Sequence, residues 1–198
     1  ALPILHKNVH ILLRLVNQIL DFRKYENDKL ELVRANMNLR VQLQEWSHSF
    51  QTLALKKHIH FVLEVNDDRA DYLMAVDAEK MERVYFNLLS NAFKFTPENG
   101  TITVTLSTLT KEEGGRYARL VVADTGSGIS VQHIRHIFDR FYQIDVNHAG
   151  SGIGLALAKA FVELHGGEIT ADSVEGKGTV FTVDIPMTVV EEPSADRS

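Results

Sequence analysis

Three short stretches of this sequence carry residue types suited to a charged, flat ligand. The first is Asn87-Leu88-Leu89-Ser90-Asn91-Ala92-Phe93-Lys94-Phe95-Thr96. At about 100° per residue, Asn87, Asn91 and Lys94 fall within roughly 60° of arc on one side of a helix. Two neutral oxygen donors one turn apart can hold a hard cation such as Mg²⁺, which keeps waters and phosphate oxygens as further ligands. A lysine one turn further can meet a phosphate as a point charge. Taken alone, the same residues also fit an ordinary solvated helix face.

The second stretch is Asp124-Thr125-Gly126-Ser127-Gly128-Ile129, directly after a strand-like run. A carboxylate at a strand end can accept a hydrogen bond from an exocyclic amine such as that of adenine. The glycines let the backbone approach a flat ring. A turn that uses Asp and Gly for conformational reasons is the alternative. The third stretch, Gly150-Ser151-Gly152-Ile153-Gly154-Leu155, opens a helix and offers free N–H groups to an anion. No Gly-Lys-Ser/Thr follows it, so it is not a Walker motif. The order G-x-G-x-G, with no strand immediately before, is not a dinucleotide fingerprint either.

The elements that must position these residues are read from periodicity. Residues 2 to about 26 read as one amphipathic helix, with Leu2, Leu5, Val9, Leu12, Val16 and Ile19 spaced as a heptad seam. Leu13, Leu20 and Phe22 widen the apolar face to the width a four-helix bundle uses. A helix lying on the domain's own core is the alternative. Leu30, Leu32 and Arg34 suggest a short strand, and Asn38 caps a helix running to about Lys57. Phe61–Val65 and Tyr72–Val76 read as strands. Asp77 caps a second helix, with Lys80 completing its first turn and Met81, Val84, Leu88, Ala92 and Phe95 on its apolar side.

Thr101–Ser107 alternates strictly and returns through Gly114-Gly115 as Tyr117–Ala123, a hairpin with one face buried. Ser151–His165 is a third helix, ended by Gly166-Gly167. Glu168–Ala171 and Thr179–Ile185 form a last hairpin around Gly176-Lys177-Gly178. In it Phe181, Val183 and Ile185 face one way, and Val180, Thr182 and Asp184 the other. The pattern predicts an α+β domain, with helices covering one face of a mixed sheet.

Composition narrows the function classes. Hydrophobic residues at 44% and charged residues at 24% are the balance of a soluble globular protein. A net charge of -5 gives no basic footprint for nucleic acid. There are no cysteines, which excludes disulfides and thiolate metal sites. No apolar run reaches the ~20 residues needed to span a bilayer, and no signal peptide opens the chain.

In this order and spacing the three stretches resemble the GHKL ATP-binding domain shared by gyrase, MutL and histidine kinases, and within it the histidine kinases. The asparagine helix resembles their N box, Asp124 to Ile129 their first glycine box, and Gly150 to Leu155 their second. His136-Ile137-Phe138-Asp139-Arg140-Phe141-Tyr142 is similar to the F box of the ATP lid, and Gly176-Lys177-Gly178-Thr179 to the closing Gly-x-Gly-Thr. The resemblance covers roughly residues 2 to 186. It implies a two-layer α/β sandwich of the Bergerat type preceded by one long bundle-forming helix.

The resemblance also implies ATP and Mg²⁺ as cofactors. Asn91 would be the Mg²⁺ ligand with Asn87 assisting, Lys94 would contact phosphate, and Asp124 the adenine amine. Gly150, Gly152 and Gly154 would line the triphosphate. Phe95, Gly126, Gly128, Ile129, Tyr142, Ser151, Ile153, Leu155 and Thr179 would complete the nucleotide pocket, and Phe138, Phe141 and Tyr142 would anchor and hinge the lid. Gln143 stands where many of these kinases carry an arginine, so Arg140 would supply the phosphate-facing charge. The stretch Gln143–Ala149 gives a short lid. Hydrolytic members carry a glutamate where Asn87 stands, and an amide cannot take a proton. That favours phosphoryl transfer to a protein histidine, in which positioning and charge stabilisation dominate.

Leu15-Val16-Asn17-Gln18-Ile19-Leu20-Asp21-Phe22 resembles the second helix of the dimerisation and phosphotransfer hairpin. The implied division is 1–27 for that helix, 28–187 for the catalytic domain and 188–198 for a linker. No phosphoacceptor box is found: His6 and His10 lack its neighbours, so the chain is expected to bind ATP without autophosphorylating. His133 and His136 have ligand-like spacing but no evident third ligand. The implied partners are a second copy through the N-terminal helix and a response-regulator receiver domain, which in hybrid kinases follows in the same chain. The implied location is cytoplasmic, with membrane anchoring upstream. A hydrolytic GHKL ATPase and a non-catalytic dimerising module are the competing readings.

Overall fold

The computed structural model describes residues 13, 16–17, 19–21, 23–25, 30–66, 70–112, 114–144 and 152–190. Strands β1 (Ala35–Asn38), β2 (His60–Val65), β3 (Leu73–Val76), β4 (Thr101–Thr110), β5 (Arg116–Asp124), β6 (Glu168–Val174) and β7 (Gly178–Pro186) form two sheets. Helices α1 (Leu39–Lys56), α2 (Ala78–Phe95), α3 (Val131–Ile134) and α4 (Gly154–Leu164) accompany them. The larger sheet runs β2-β4-β5-β7-β6, with β2 and β4 parallel and the other pairs antiparallel. β1 and β3 pair separately. This is the expected α+β sandwich on a mixed sheet.

Alternation along the strands builds the core. Val104, Val122, Phe181 and Ala171 form one row across β4, β5, β7 and β6, and Leu106, Leu120, Val183 and Ile169 the next. Against these rows α2 buries Met81, Val84, Leu88, Leu89, Ala92 and Phe93. On the opposite sheet face Asp184 is nonetheless buried. The Arg119 guanidinium grips it through two hydrogen bonds of 2.8 Å each.

Helix starts follow the caps read from sequence. The Asn38 side chain accepts the Val41 N–H at 3.3 Å. Asp77 accepts the Lys80 N–H at 3.1 Å and its ammonium at 2.6 Å. Burial acts upward on the Asp77 carboxyl. The Lys80 side chain and the N–H groups of Val33 and Lys80 outweigh it and hold the group below its ordinary value. Beside it lies the buried His165. Its Nε2 accepts the Asp77 N–H at 3.0 Å and its Nδ1 donates to the Phe161 carbonyl at 2.6 Å. Burial pushes this imidazole below its ordinary value, with Arg34, Asp77 and Lys80 as its charged neighbours.

Three expectations need correction. Leu30–Arg34 form no strand; the strand is Ala35–Asn38. The Val33 N–H goes to Asp77 at 2.9 Å and the Arg34 side chain to the Leu164 carbonyl at 3.1 Å, so these groups tie to helix ends instead of a ladder. The third helix starts at Gly154, because Gly152 has φ +67°, outside helical space. Phe95 is 40% exposed instead of lying in the apolar stripe, with the Lys94 ammonium 5.0 Å from its ring centroid.

The inlet and outlet of the domain meet. Ala75 N–H donates to the Thr188 carbonyl, and the Asn36 amide makes two hydrogen bonds of 2.8 Å with the Val190 backbone. Of the N-terminal seam, Leu2, Leu5, Val9 and Leu12 lie outside the described residues. Residues 13, 16–17, 19–21 and 23–25 are helical, and Leu13, Val16, Ile19 and Leu20 are exposed. Asp21 pairs with Arg83, whose guanidinium lies 5.3 Å from the Phe161 ring centroid. Among the described residues no helix is long and apolar enough to cross a membrane.

Candidate functional site

One row of core-facing side chains is unlike the others. At the ends of three neighbouring strands, Ile102 is followed by Asp124, Thr179 and Ser173. The apolar face of the sheet therefore turns polar at its rim. Asp124 Oδ1 accepts the Gly126 N–H at 2.8 Å. Burial pushes the Asp124 carboxyl up, while hydrogen bonds from the Gly126 and Thr179 backbone pull against it; the net shift is upward. Such a half-buried carboxylate has acceptor capacity left for a ligand donor.

Glycines make this wall possible. A Cβ at Gly178, which has φ +122°, would stand 1.8 Å from the Asp124 carbonyl oxygen. At Gly128, with φ +66°, it would stand 2.1 Å from the Val174 carbonyl. The turn after Asp124 is therefore pressed against both the α2 end and the β6–β7 turn. Ser127 N–H donates to the Phe95 carbonyl at 3.3 Å, and Gly176 N–H to the Ser127 carbonyl at 2.7 Å.

On α2, whose end meets this wall at Phe95, Asn87 and Asn91 are half-buried and Lys94 is exposed. α4 starts beside them: a Cβ at Gly154 would lie 2.9 Å from Asn87 Oδ1. The residue at its N-cap, Ile153, makes no side-chain capping bond to this helix start. Ile153 is buried and Leu155 half-buried. Gly150 and Ser151 lie outside the described residues.

The segment after α3 forms the third side. Ile137 is buried, and Phe138 meets Phe181 edge-on at 6.2 Å. Phe141 N–H donates to the Gly152 carbonyl at 2.9 Å, which links this segment to the glycine stretch before α4. The Phe141 backbone is left-handed at φ +58° and its ring is 68% exposed, so the ring itself does not anchor in the core. The Tyr142 hydroxyl pairs with His133 Nδ1, and the His136 ring lies 5.4 Å from the Tyr142 ring. Both histidines with ligand-like spacing are thus engaged with Tyr142; His136 also meets Asp139 at 2.7 Å. Arg140 is exposed.

The structure thus brings Gly154 against Asn87 at the α4 start, one turn from Asn91 on α2, and gathers Asp124, Gly126, Gly128, Ile129 and Thr179 around the β5 end. Sequence reasoning missed Ser173, whose hydroxyl accepts the Ile129 N–H at 2.8 Å. Extending the alternation Ile169, Ala171 by one step would have placed it in the same row.

Known proteins provide the comparison. The family described as "Histidine kinase-, DNA gyrase B-, and HSP90-like ATPase" matches residues 76–189. Hybrid signal transduction histidine kinase D of Dictyostelium discoideum is 36% identical over 191 residues, 94% of this chain. The chain spans only 12% of that protein's length. The catalytic domain of the histidine kinase ThkA superimposes with a TM-score of 0.68 at 28% identity, over 80% of this chain and 97% of that one. Full-length ShkA in complex with AMPPNP gives a TM-score of 0.80 at 27% identity, over 96% of this chain and 39% of that one. The family match runs from the cap of the asparagine helix to the outlet beyond β7, more than half of the residues, and the chain belongs to the histidine kinase-, DNA gyrase B- and HSP90-like ATPase family.

Proposed function

We propose that this chain is the ATP-binding catalytic domain of a sensor histidine kinase. It transfers the γ-phosphate of ATP to a histidine on a dimerisation helix, for relay to a response-regulator aspartate. The observation that carries this reading is Asn87, an amide where hydrolytic relatives hold a basic carboxylate, set against Gly154 at the start of α4. An amide can orient a ligand but cannot activate water as a base.

The roles follow from the two walls. Ionised Asp124 accepts the adenine amine, and the glycine turns of residues 126–128 and 178 bring backbone to the ring. Gly152, Gly154 and the α4 N-terminus face the triphosphate with N–H donors, and Gly150 and Ser151 are assigned to the same phosphates. Lys94 and Arg140 supply positive charge. Asn91, assisted by Asn87, has the hard, neutral oxygen chemistry that Mg²⁺ accepts, and bound Mg²⁺ would neutralise phosphate charge. Phe138 and Tyr142 seat the lid.

Residues 1–27 serve as the second hairpin helix, 28–187 as the catalytic domain and 188–198 as a linker. The exposed stripe Leu13, Val16, Ile19 and Leu20 supports dimerisation through this helix in a longer, cytoplasmic kinase with a membrane anchor upstream.

The test is calorimetric binding of ADP and a non-hydrolysable ATP analogue with Mg²⁺, followed by phosphate transfer to a separately supplied hairpin bearing the acceptor histidine. Binding with transfer is expected. Sustained phosphate release by the chain alone would favour the hydrolytic ATPase instead. An unchanged melting temperature with Mg-ATP would favour a non-catalytic module.

A further inference from the structure

Ser173 belongs to none of the sequence motifs, yet it touches two of them. It is the last core-facing residue of β6, in register with Thr179 of β7, itself in register with Asp124 of β5. Its hydroxyl is saturated. It donates to the Gly178 carbonyl at 2.8 Å and accepts the Ile129 N–H at 2.8 Å. The Thr179 hydroxyl stands 2.9 Å away. Ser173 has one hydrogen and gives it to Gly178, so Thr179 donates and Ser173 accepts.

One oxygen thus ties together the two turns that flank Asp124. The first turn cannot close further on β6, because Gly128 already lies against the Val174 carbonyl. It cannot drift outward while Ile129 N–H is held. The Gly178 and Thr179 side is fixed by the same atom. Remove that oxygen, and a half-buried N–H loses its acceptor on the wall beside Asp124.

We propose that Ser173 is a positioning residue of the nucleotide site: it sets the spacing between the Asp124–Ile129 turn and the start of β7, and so the width of the slot for the base. This rests on reading Asp124 as the partner of the adenine amine. The hydroxyl does not touch the nucleotide; it acts through Ile129 and Thr179.

The experiment is calorimetric titration of ADP with Mg²⁺ into the intact chain and into Ser173→Ala, Ser173→Cys and Ser173→Thr, with the melting temperature of each. Loss of the oxygen should weaken ADP about tenfold in the Ala and Cys variants. Ser173→Thr keeps the oxygen and should bind within about twofold of the intact chain. The factor should be the same for ADP and a non-hydrolysable ATP analogue, because the defect lies at the base end. Ala or Cys variants that bind as tightly as the intact chain overturn the proposal. So do affinities that follow melting temperature instead of the hydroxyl. If Ser173→Ala does not fold, the contrast between Cys and Thr decides. An intact chain that binds no ADP is a separate result, visible before any variant is made; it removes the nucleotide-site reading and this proposal with it.

Discussion

Two sides of the candidate site, the wall around Asp124 and the wall around Phe141, are built in different ways. The wall around Asp124 is backbone against backbone: Gly128 on the Val174 carbonyl, Gly178 on the Asp124 carbonyl, and a 2.7 Å hydrogen bond from the Gly176 N–H to the Ser127 carbonyl between the two turns. The wall around Phe141 is side chains over a strained hinge, with one N–H to Gly152 and an exposed ring in left-handed backbone. The first leaves no room for adjustment, and the second keeps some. Under the proposed function, the Asp124 wall would hold a fixed ring and the Phe141 segment would let a product go, which suits rigidity at the first and slack at the second.

Substitutions can break or sharpen this contrast. The largest effect is expected from Gly178→Ala. An added Cβ would overlap the Asp124 carbonyl at φ +122°, and strain plus overlap should cost roughly 3 kcal/mol or more. Denaturant unfolding measures it, and a near-neutral result would mean that the base wall is not rigid.

Next comes Asp124→Asn. Its fold should persist, while adenine nucleotide affinity should fall about tenfold or more in calorimetry. Its pH behaviour has two opposite signs. The Asp124 pKa is raised above 3.8 in the folded chain, so its contribution to stability is fully present below 3.8 and is lost as pH rises through the folded value. With Asp124 as the proposed acceptor of the adenine amine, binding would need the ionised form, so affinity should fall as pH drops through that same raised value. Titrations across acidic pH with the intact chain and Asp124→Asn test this; identical profiles would remove Asp124 from the binding reaction.

Away from both walls, Asp77→Ala should cost about 1–2 kcal/mol through loss of the α2 cap, with ADP affinity unchanged. The neighbouring His165 adds a pH signature. Its contribution to stability is full above 6.5 and is lost as pH falls through its lowered folded value. Thermal melts near neutral and mildly acidic pH read both. A fall in ADP affinity for Asp77→Ala would join this cluster to the site. The smallest effect is expected from Phe141→Gly, within about 1 kcal/mol, because relief of the left-handed backbone offsets lost chain stiffness. A loss as large as that of Gly178→Ala would make the two walls equally rigid.

Much of this was legible in sequence because it is written in local chemistry. Asn38 and Asp77 announce helix starts through side-chain capping, and the alternation in Thr101–Ser107 announces a half-buried strand. The asparagine helix and the glycine turns after Asp124 were visible for the same reason. The strand at Ala35–Asn38 is not legible locally, because its neighbours Val33 and Arg34 bond to helix ends distant in sequence. Phe95 is apolar by period, yet it is the last residue of α2 and is exposed. Ser173 escaped notice because its importance is a matter of register across three strands, not of its neighbours in the chain.

The clasp between Asn36 and Val190 has a mechanical meaning of its own. The polypeptide arrives and departs at one corner of the domain, on the small sheet of β1 and β3. The body beyond that corner hangs like a bead on a closed loop. A pull applied beyond residue 190 would load this clasp before it reached β7 and the larger sheet.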